Sequence, residues 1–146
     1  MQSKDFTTTI LVDQTPNEVY KAINNVAAWW TGEPGVEGST VKIGDEFTYQ
    51  YKEIHYSKQR IIELIPAERI AWLVTDSNLS FISDRDEWNG TTIIFEIAKQ
   101  GKKTEVRFTH AGLIKELECY SDCSNAWTSY ISDSLKNFIA TTKATA

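Results

Sequence analysis

The sequence has few of the residues that would mark a secreted, membrane or nucleic-acid-binding protein. Its 146 residues include two cysteines, too few for the disulfide framework of a small secreted domain. No apolar run approaches the length of about eighteen residues that suggests a membrane span, and residues 1–9 lack the pattern of a signal peptide. Fifteen Lys and Arg stand against 20 Asp and Glu, a net charge of -5. We expect a cytoplasmic protein with no membrane insertion and no nucleic-acid partner.

Metal ligands and nucleophilic motifs are also sparse. His110, Cys119 and Cys123 suggest zinc by composition but lack the paired spacing of a zinc site. There is no Gly-x-Ser-x-Gly elbow, and neither cysteine has a sequence neighbour that would activate it. We expect two reduced thiols, no metal and no cofactor. A further acidic group lacks the spacing of a calcium loop and is interpreted as a solvated loop: Asp84, Asp86 and Glu87.

Most of the chain alternates between apolar and polar residues with a period of two. Residues 6–12 predict a first strand, and residues 41–110 predict successive antiparallel strands with one apolar and one wet face. Turn residues at 66–69 and 100–103 separate strands within this region. The stretch 76–90 is polar and less regular. We expect a single domain over residues 1–146, a length that supports a core without disulfides.

Two parts of the chain have helical signals. Thr15 and Glu18 form the two ends of a capping box, with Pro16 at the first helical position, and a loop is expected over residues 32–38, which are rich in glycine. Residues 124–139 predict a long terminal helix, because six apolar residues recur on one stripe: Trp127, Tyr130, Ile131, Leu135, Phe138 and Ile139.

Five short segments, in this order, resemble a known family. They are TPNEVY at 15–20, AWW at 28–30, RIIELIPAERIAW at 60–72, TEVRFTHAG at 104–112 and NAW at 125–127. Together they are similar to the helix-grip fold of the START and birch-pollen-allergen-like superfamily (SRPBCC), and within it to stand-alone bacterial members of the activator of heat-shock-protein ATPase homologue family. The resemblance implies an α+β fold: a curved antiparallel sheet wrapped around a long C-terminal helix, with two short helices after the first strand.

The resemblance implies a range of functions and no shared catalytic residues. Members of the superfamily bind lipids, sterols, hormones or polyketides, some are cyclases or hydrolases, and the eukaryotic namesake stimulates a chaperone. This sequence has no counterpart of the large N-terminal domain of that co-chaperone, so a chaperone partner is expected less than a small molecule. Fold alone does not choose among these functions.

The inward face of the predicted sheet and helix combines aromatic rings with polar groups. Each ring alone is more often a core residue, but tyrosine hydroxyls, indole N–H groups and an imidazole are unusual in a dry core. We therefore expect a cavity that binds a small apolar or amphipathic molecule. Its predicted lining is Trp30, Phe47, Tyr49, Tyr51, Trp72, Phe95, Phe108, His110, Trp127, Tyr130, Ile131 and Ser134.

Alternatives to simple binding stay open from the sequence. One is a cyclase or hydrolase in which His110 is a weak candidate for the acid or base. Another is a protein-interaction module, and the chain is expected to be a monomer or a homodimer. His55 is expected to be solvated, and the adjacent indoles of Trp29 and Trp30 are not expected to face the core together.

Overall fold

An antiparallel sheet forms the centre of the computed structural model, which describes residues 4–142 and contains seven strands in that range. Residues 1–3 and 143–146 of the predicted domain lie outside the described part. The strands are adjacent in the order β1-β7-β6-β5-β4-β3-β2. Their bounds are β1 (Phe6–Val12), β2 (Pro34–Gly38), β3 (Glu46–Tyr51), β4 (His55–Ile65), β5 (Arg69–Leu79), β6 (Thr92–Gln100) and β7 (Lys103–Ala111). The first strand and both predicted turns are confirmed.

The segment expected to be a loop after the first helices contains the edge strand β2. Pro34 occupies its first position, where a missing backbone N–H is tolerated. Gly38 pairs with Phe47 at a φ of 112°, and a Cβ at that position would lie 2.6 Å from the carbonyl oxygen of Glu46. The glycine that suggested a loop is therefore what allows this strand to approach its neighbour.

Two short helices follow β1, and a long helical region ends the described chain. They are α1 (Pro16–Asn24), α2 (Val26–Trp29), α3 (Tyr120–Ser129), a π-helical segment (Tyr130–Leu135) and α4 (Lys136–Thr141). The capping box is confirmed, because Thr15 Oγ1 accepts from the backbone N–H of Glu18 at 3.2 Å and the Glu18 carboxylate accepts from that of Thr15 at 2.9 Å. None of the helices within residues 4–142 is long and apolar enough to cross a membrane.

The long terminal helix is confirmed, but it begins earlier than predicted and contains a π-helical segment. Its fully buried residues recur every four positions: Cys119, Cys123, Trp127, Ile131, Leu135 and Ile139. Four residues overshoot one α-helical turn by about 40°, so a purely α-helical stripe would drift around the axis. The wider π turn at residues 130–135 takes up this drift and keeps the stripe on the sheet.

The core under the helix is dominated by stacked indoles. Trp29 and Trp30 are both buried, at 0% and 2% exposure, and each stacks with Trp72 at ring-centroid distances of 6.4 and 6.1 Å. The expectation that these adjacent indoles could not both face the core is wrong. Helix α2 ends at Trp29, and the backbone of Trp30 leaves helical geometry (φ -94°, ψ 75°), which turns the second indole to the same side.

Candidate functional site

A cavity of about 450 Å³ lies where β3, the start of β4 and the loop after β5 meet the first turns of α3. Of the twelve lining residues in the described chain, eight carry an aromatic ring, imidazole included. The lining is Trp30, Tyr49, Tyr51, Ile54, His55, Phe81, Trp88, Asp122, Cys123, Ala126, Trp127 and Tyr130. The volume falls in the range of pockets that enclose small organic ligands.

Five residues predicted from the sequence line this cavity: Trp30, Tyr49, Tyr51, Trp127 and Tyr130. The other predicted residues lie elsewhere. The interior of the core contains Phe47, Trp72, Phe95, Phe108, His110 and Ile131, each at most 1% exposed, and Ser134 is half-buried farther along the helix. Strand alternation identifies the inward face of a sheet, but it does not tell which inward side chains reach the edge of the packed core.

The remaining cavity residues come from irregular parts of the chain that periodicity does not describe. His55 was expected to be solvated, but it is half-buried, with its ring 4.6 Å from that of Trp88 and 5.3 Å from that of Tyr49. Burial lowers the pKa of His55 to about 4, so the imidazole is neutral at pH 7. The sequence has one signal that this loop covers a cavity: two large aromatic residues in an otherwise polar stretch, Phe81 and Trp88.

The loop over residues 80–91 is fastened to the start of α3 by two carboxylates, which we call the carboxylate clamp. The Glu87 carboxylate accepts from the backbone N–H groups of Glu118 and Cys119, at 2.7 and 2.9 Å. In return, the Glu118 carboxylate accepts from those of Ser83 and Asp84, at 2.9 and 3.1 Å. These two bonds lower the pKa of Glu118 below its usual value. The acidic stretch is thus partly structural, although Asp84 itself is exposed.

Replacing Glu87 by glutamine is expected to loosen this loop. The neutral amide offers one acceptor oxygen and lacks the charge that a helix N-terminus favours, so the clamp should weaken by about 1 kcal/mol. Amide hydrogen exchange at Glu118 and Cys119 should become about fivefold faster. The exposed Glu68→Gln is the control, because Glu68 lies in the turn between β4 and β5. Equal protection in the two variants would contradict a role for the Glu87 carboxylate.

A chain of hydrogen bonds fixes Trp127 behind the cavity. Its indole N–H donates to His110 Nδ1 at 3.0 Å, and an indole N–H can only donate, so Nδ1 accepts and the His110 proton is on Nε2. Nε2 then donates to Thr91 Oγ1 at 2.8 Å, and Thr91 donates to the Trp88 carbonyl at 2.6 Å. Burial, followed by the nearby His55, lowers the pKa of His110 to about 3. His110 is therefore neutral, with both ring nitrogens engaged.

Two tyrosines close another side of the cavity. The hydroxyl oxygens of Tyr49 and Tyr130 are 2.6 Å apart, and they lie 2.8 and 2.9 Å from the carbonyl oxygen of Thr31. Burial, and then the bond to Tyr130, raises the pKa of Tyr49 above its usual value. The Tyr49 ring also stacks on Trp30, with centroids 4.1 Å apart. Both hydroxyl protons are committed within this group.

The titratable groups at the cavity do not form a metal centre. Across residues 4–142, no group of three or more His, Cys, Asp or Glu side chains is placed to hold a metal ion. Cys119 and Cys123 are buried and are not joined by a disulfide. Hydrogen bonding to Cys119, followed by burial, raises the pKa of the Cys123 thiol, so Cys123 is a protonated, weakly polar part of the wall.

Comparisons with known proteins agree with this architecture. No protein of curated function matches the chain. The solution structure of the Aha1 dimer from Colwellia psychrerythraea is 21% identical, with a TM-score of 0.74, and the match covers 97% of this chain and 99% of that one. A Mesorhizobium loti crystal structure is 12% identical, with a TM-score of 0.72 and coverages of 94% and 98%. CalU16 from Micromonospora echinospora is 15% identical, with a TM-score of 0.65 and coverages of 92% and 75%.

At these identities the structural matches show a common fold, the helix-grip fold expected from the sequence. The family assignment comes from the sequence match, which spans residues 13–140 and therefore includes strands β2 to β7, the cavity and nearly all of the terminal helix. This chain belongs to the Activator of Hsp90 ATPase homolog 1-like protein family.

Proposed function

We propose that this protein binds a small, mainly apolar molecule in the cavity between the sheet and the C-terminal helix. The observation that carries the proposal is the aromatic lining of a volume of about 450 Å³ beside an otherwise closely packed core. Burying apolar ligand surface against such walls is favourable by about 25 cal/mol per Å². Packing of the core does not require a cavity of this size and composition, whereas a ligand with one or more rings would fit it.

The cavity residues divide into walls and polar positions. Three indoles close the cavity on its inner side with at most 3% of their surface exposed: Trp30, Trp88 and Trp127. Tyr51, Ile54 and Phe81 are 38–44% exposed and offer the larger apolar surfaces to a ligand. The hydroxyls of Tyr49 and Tyr130 lie at one side, and either can give up its bond to the other and bond to a polar ligand atom instead. We propose as the principal binding residues the three exposed apolar side chains and the two tyrosines that share a hydrogen bond.

The proposal is tested by filling the cavity from the helix side. Ala126 lines the cavity and is exposed, so Ala126→Trp is expected to place an indole in the space without disturbing the core. Binding of the neutral probe N-phenyl-naphthylamine, followed by its fluorescence, should weaken at least about tenfold, a loss of about 1.4 kcal/mol. Ala140→Trp is the control, because Ala140 is exposed in α4 and lies outside the cavity. Failure of the wild type to bind the probe, or equal binding by both variants, would overturn the proposal.

The enzymatic alternative loses its main support. It depended on His110 as acid or base, and that residue does not line the cavity and has both ring nitrogens bonded within the protein. We do not propose it further. Among the expected partners, a second copy of this chain gains support from the relative in Colwellia psychrerythraea, which is a dimer. Self-association is therefore part of our proposal, separate from the cavity.

A further inference from the structure

We propose that the cavity selects cationic ligands, that is, apolar molecules that carry an ammonium or a similar weakly hydrated positive group. This inference rests on the proposed function and adds the charge of the ligand to it. Four features support it: the sign of the charge at the cavity, the faces of the exposed rings, the shortage of free donors and the contact of Lys52 with a lining ring.

The formal charge at the cavity is negative. Asp122, exposed in the first turn of α3, is the one acidic side chain among the twelve lining residues of the described chain, which include neither lysine nor arginine. His55 carries the one titratable nitrogen among these twelve residues, and burial lowers its pKa to about 4, so it adds no positive charge at pH 7. A ligand cation therefore meets one carboxylate and no like charge among these residues.

The exposed rings of the cavity present the surfaces to which cations bind. Tyr51 and Phe81 are 38% and 40% exposed, and both line the cavity. Behind them lie three indoles that contact one another and are at most 3% exposed: Trp30, Trp88 and Trp127. The face of an aromatic ring carries partial negative charge and attracts an ammonium within about 6 Å, most strongly when the cation has little bound water. The same exposed rings can hold the apolar body of the ligand.

An anion would find few donors in the same space. The Trp127 N–H donates to His110, and the Trp88 N–H is buried beside the thiol of Cys123. The hydroxyls of Tyr49 and Tyr130 are engaged with each other and with the Thr31 carbonyl, so either must give up one of these bonds before it can donate to an anion. A carboxylate would lose its hydration without gaining comparable bonds, which is costly.

The protein already places a cation on one cavity ring. The Lys52 ammonium lies 5.5 Å from the centroid of the Tyr51 ring, and it is 3.9 Å from a carboxylate oxygen of Glu33. Both members of this ion pair are exposed. Lys52 is not one of the lining residues, and Glu33 balances its charge, so the pair adds no net positive charge beside the cavity.

Three probes with one naphthalene body test the charge preference: naphthylmethyl-trimethylammonium, naphthalenemethanol and naphthaleneacetate. Calorimetric titration at pH 7 and low salt is expected to give the tightest binding for the cation, about tenfold tighter than the neutral alcohol, and the weakest for the anion. Failure of all three to bind overturns both proposals. If the alcohol binds, and the anion binds at least as tightly as the cation, the charge preference is overturned while the proposed function stands.

Asp122→Asn separates the local charge from the net charge of the protein. We expect it to reduce the preference for the cation over the alcohol by about three- to fivefold, while the remaining preference comes from the rings. Asp133→Asn is the matched control, because it removes the same charge from an exposed position on the same helical region outside the cavity. It should leave the preference unchanged. Equal effects of the two substitutions would overturn the role of Asp122.

Discussion

Acidification from pH 6.5 to pH 4.5 is expected to lower the free energy of unfolding of this protein by about 4–5 kcal/mol. Burial holds the pKa of His110 at about 3 and that of His55 at about 4, both below the ordinary value of 6.5. Below pH 6.5 the unfolded chain therefore binds two protons that the folded chain does not bind. Each histidine then contributes a loss of up to about 1.4 kcal/mol per pH unit, until its own folded-state pKa is reached. Urea unfolding at a series of pH values measures this slope.

The contribution of one histidine can be isolated. Glutamine at position 110 can still accept from Trp127 and donate to Thr91, but it does not titrate, so His110→Gln should reduce the slope by about half. The carboxyls whose pKa is lowered, Asp13, Asp45 and Glu118, lose their contribution mainly below about pH 5, where their unfolded forms bind protons. An unchanged slope between pH 6 and 5 in the variant would contradict the assignment.

Replacing Trp127 by phenylalanine is expected to lower the free energy of unfolding by about 2–4 kcal/mol. The substitution removes ring volume from a fully buried position and also leaves His110 Nδ1 without its donor. An unsatisfied buried acceptor costs about 1–3 kcal/mol beyond the loss of packing. Urea unfolding at pH 8, where His110 is neutral in the folded chain and almost entirely neutral in the unfolded chain, gives the difference directly.

Trp88→Phe is a matched control for the hydrogen bond. Trp88 is also buried and stacks against Trp127, but its indole N–H faces only the weakly accepting thiol of Cys123 within the described residues. The change removes the same atoms and leaves no strong acceptor unpaired, so it should cost about 1–2 kcal/mol less than Trp127→Phe. If the two substitutions cost the same, the bond from Trp127 to His110 adds nothing to stability.

The parts of this fold that could be predicted from sequence are those set by local chemistry. The capping box at Thr15 and Glu18 depends on residues three apart, and the period-two pattern of β1 depends only on which side of the strand is covered. The helical stripe around Trp127 has the same local origin. The π-helical segment was not predicted, because its cause is the match between the helix and the sheet beneath it.

The cavity was only partly predictable for a related reason. Alternation identified Tyr49 and Tyr51 as well as Trp72, but only the packing of the whole sheet decides that Trp72 lies inside the core and the tyrosines lie at its edge. The covering loop was harder, since Phe81 and Trp88 reach the cavity through the carboxylate clamp, whose two halves are about thirty residues apart in sequence. Such contacts leave no periodic signal.

The π-helical segment decides which changes of length the terminal helix tolerates. A π turn holds one residue more than an α turn, so loss of one residue within 130–135 would restore α-helical winding and leave the residues beyond it on the same face. Gain of one residue there would instead rotate everything beyond it by about 100°. Cys123 and Trp127 would then keep their places at the cavity, while Leu135 and Ile139 would turn away from the sheet. Single-residue deletions in this segment are therefore more tolerable than insertions.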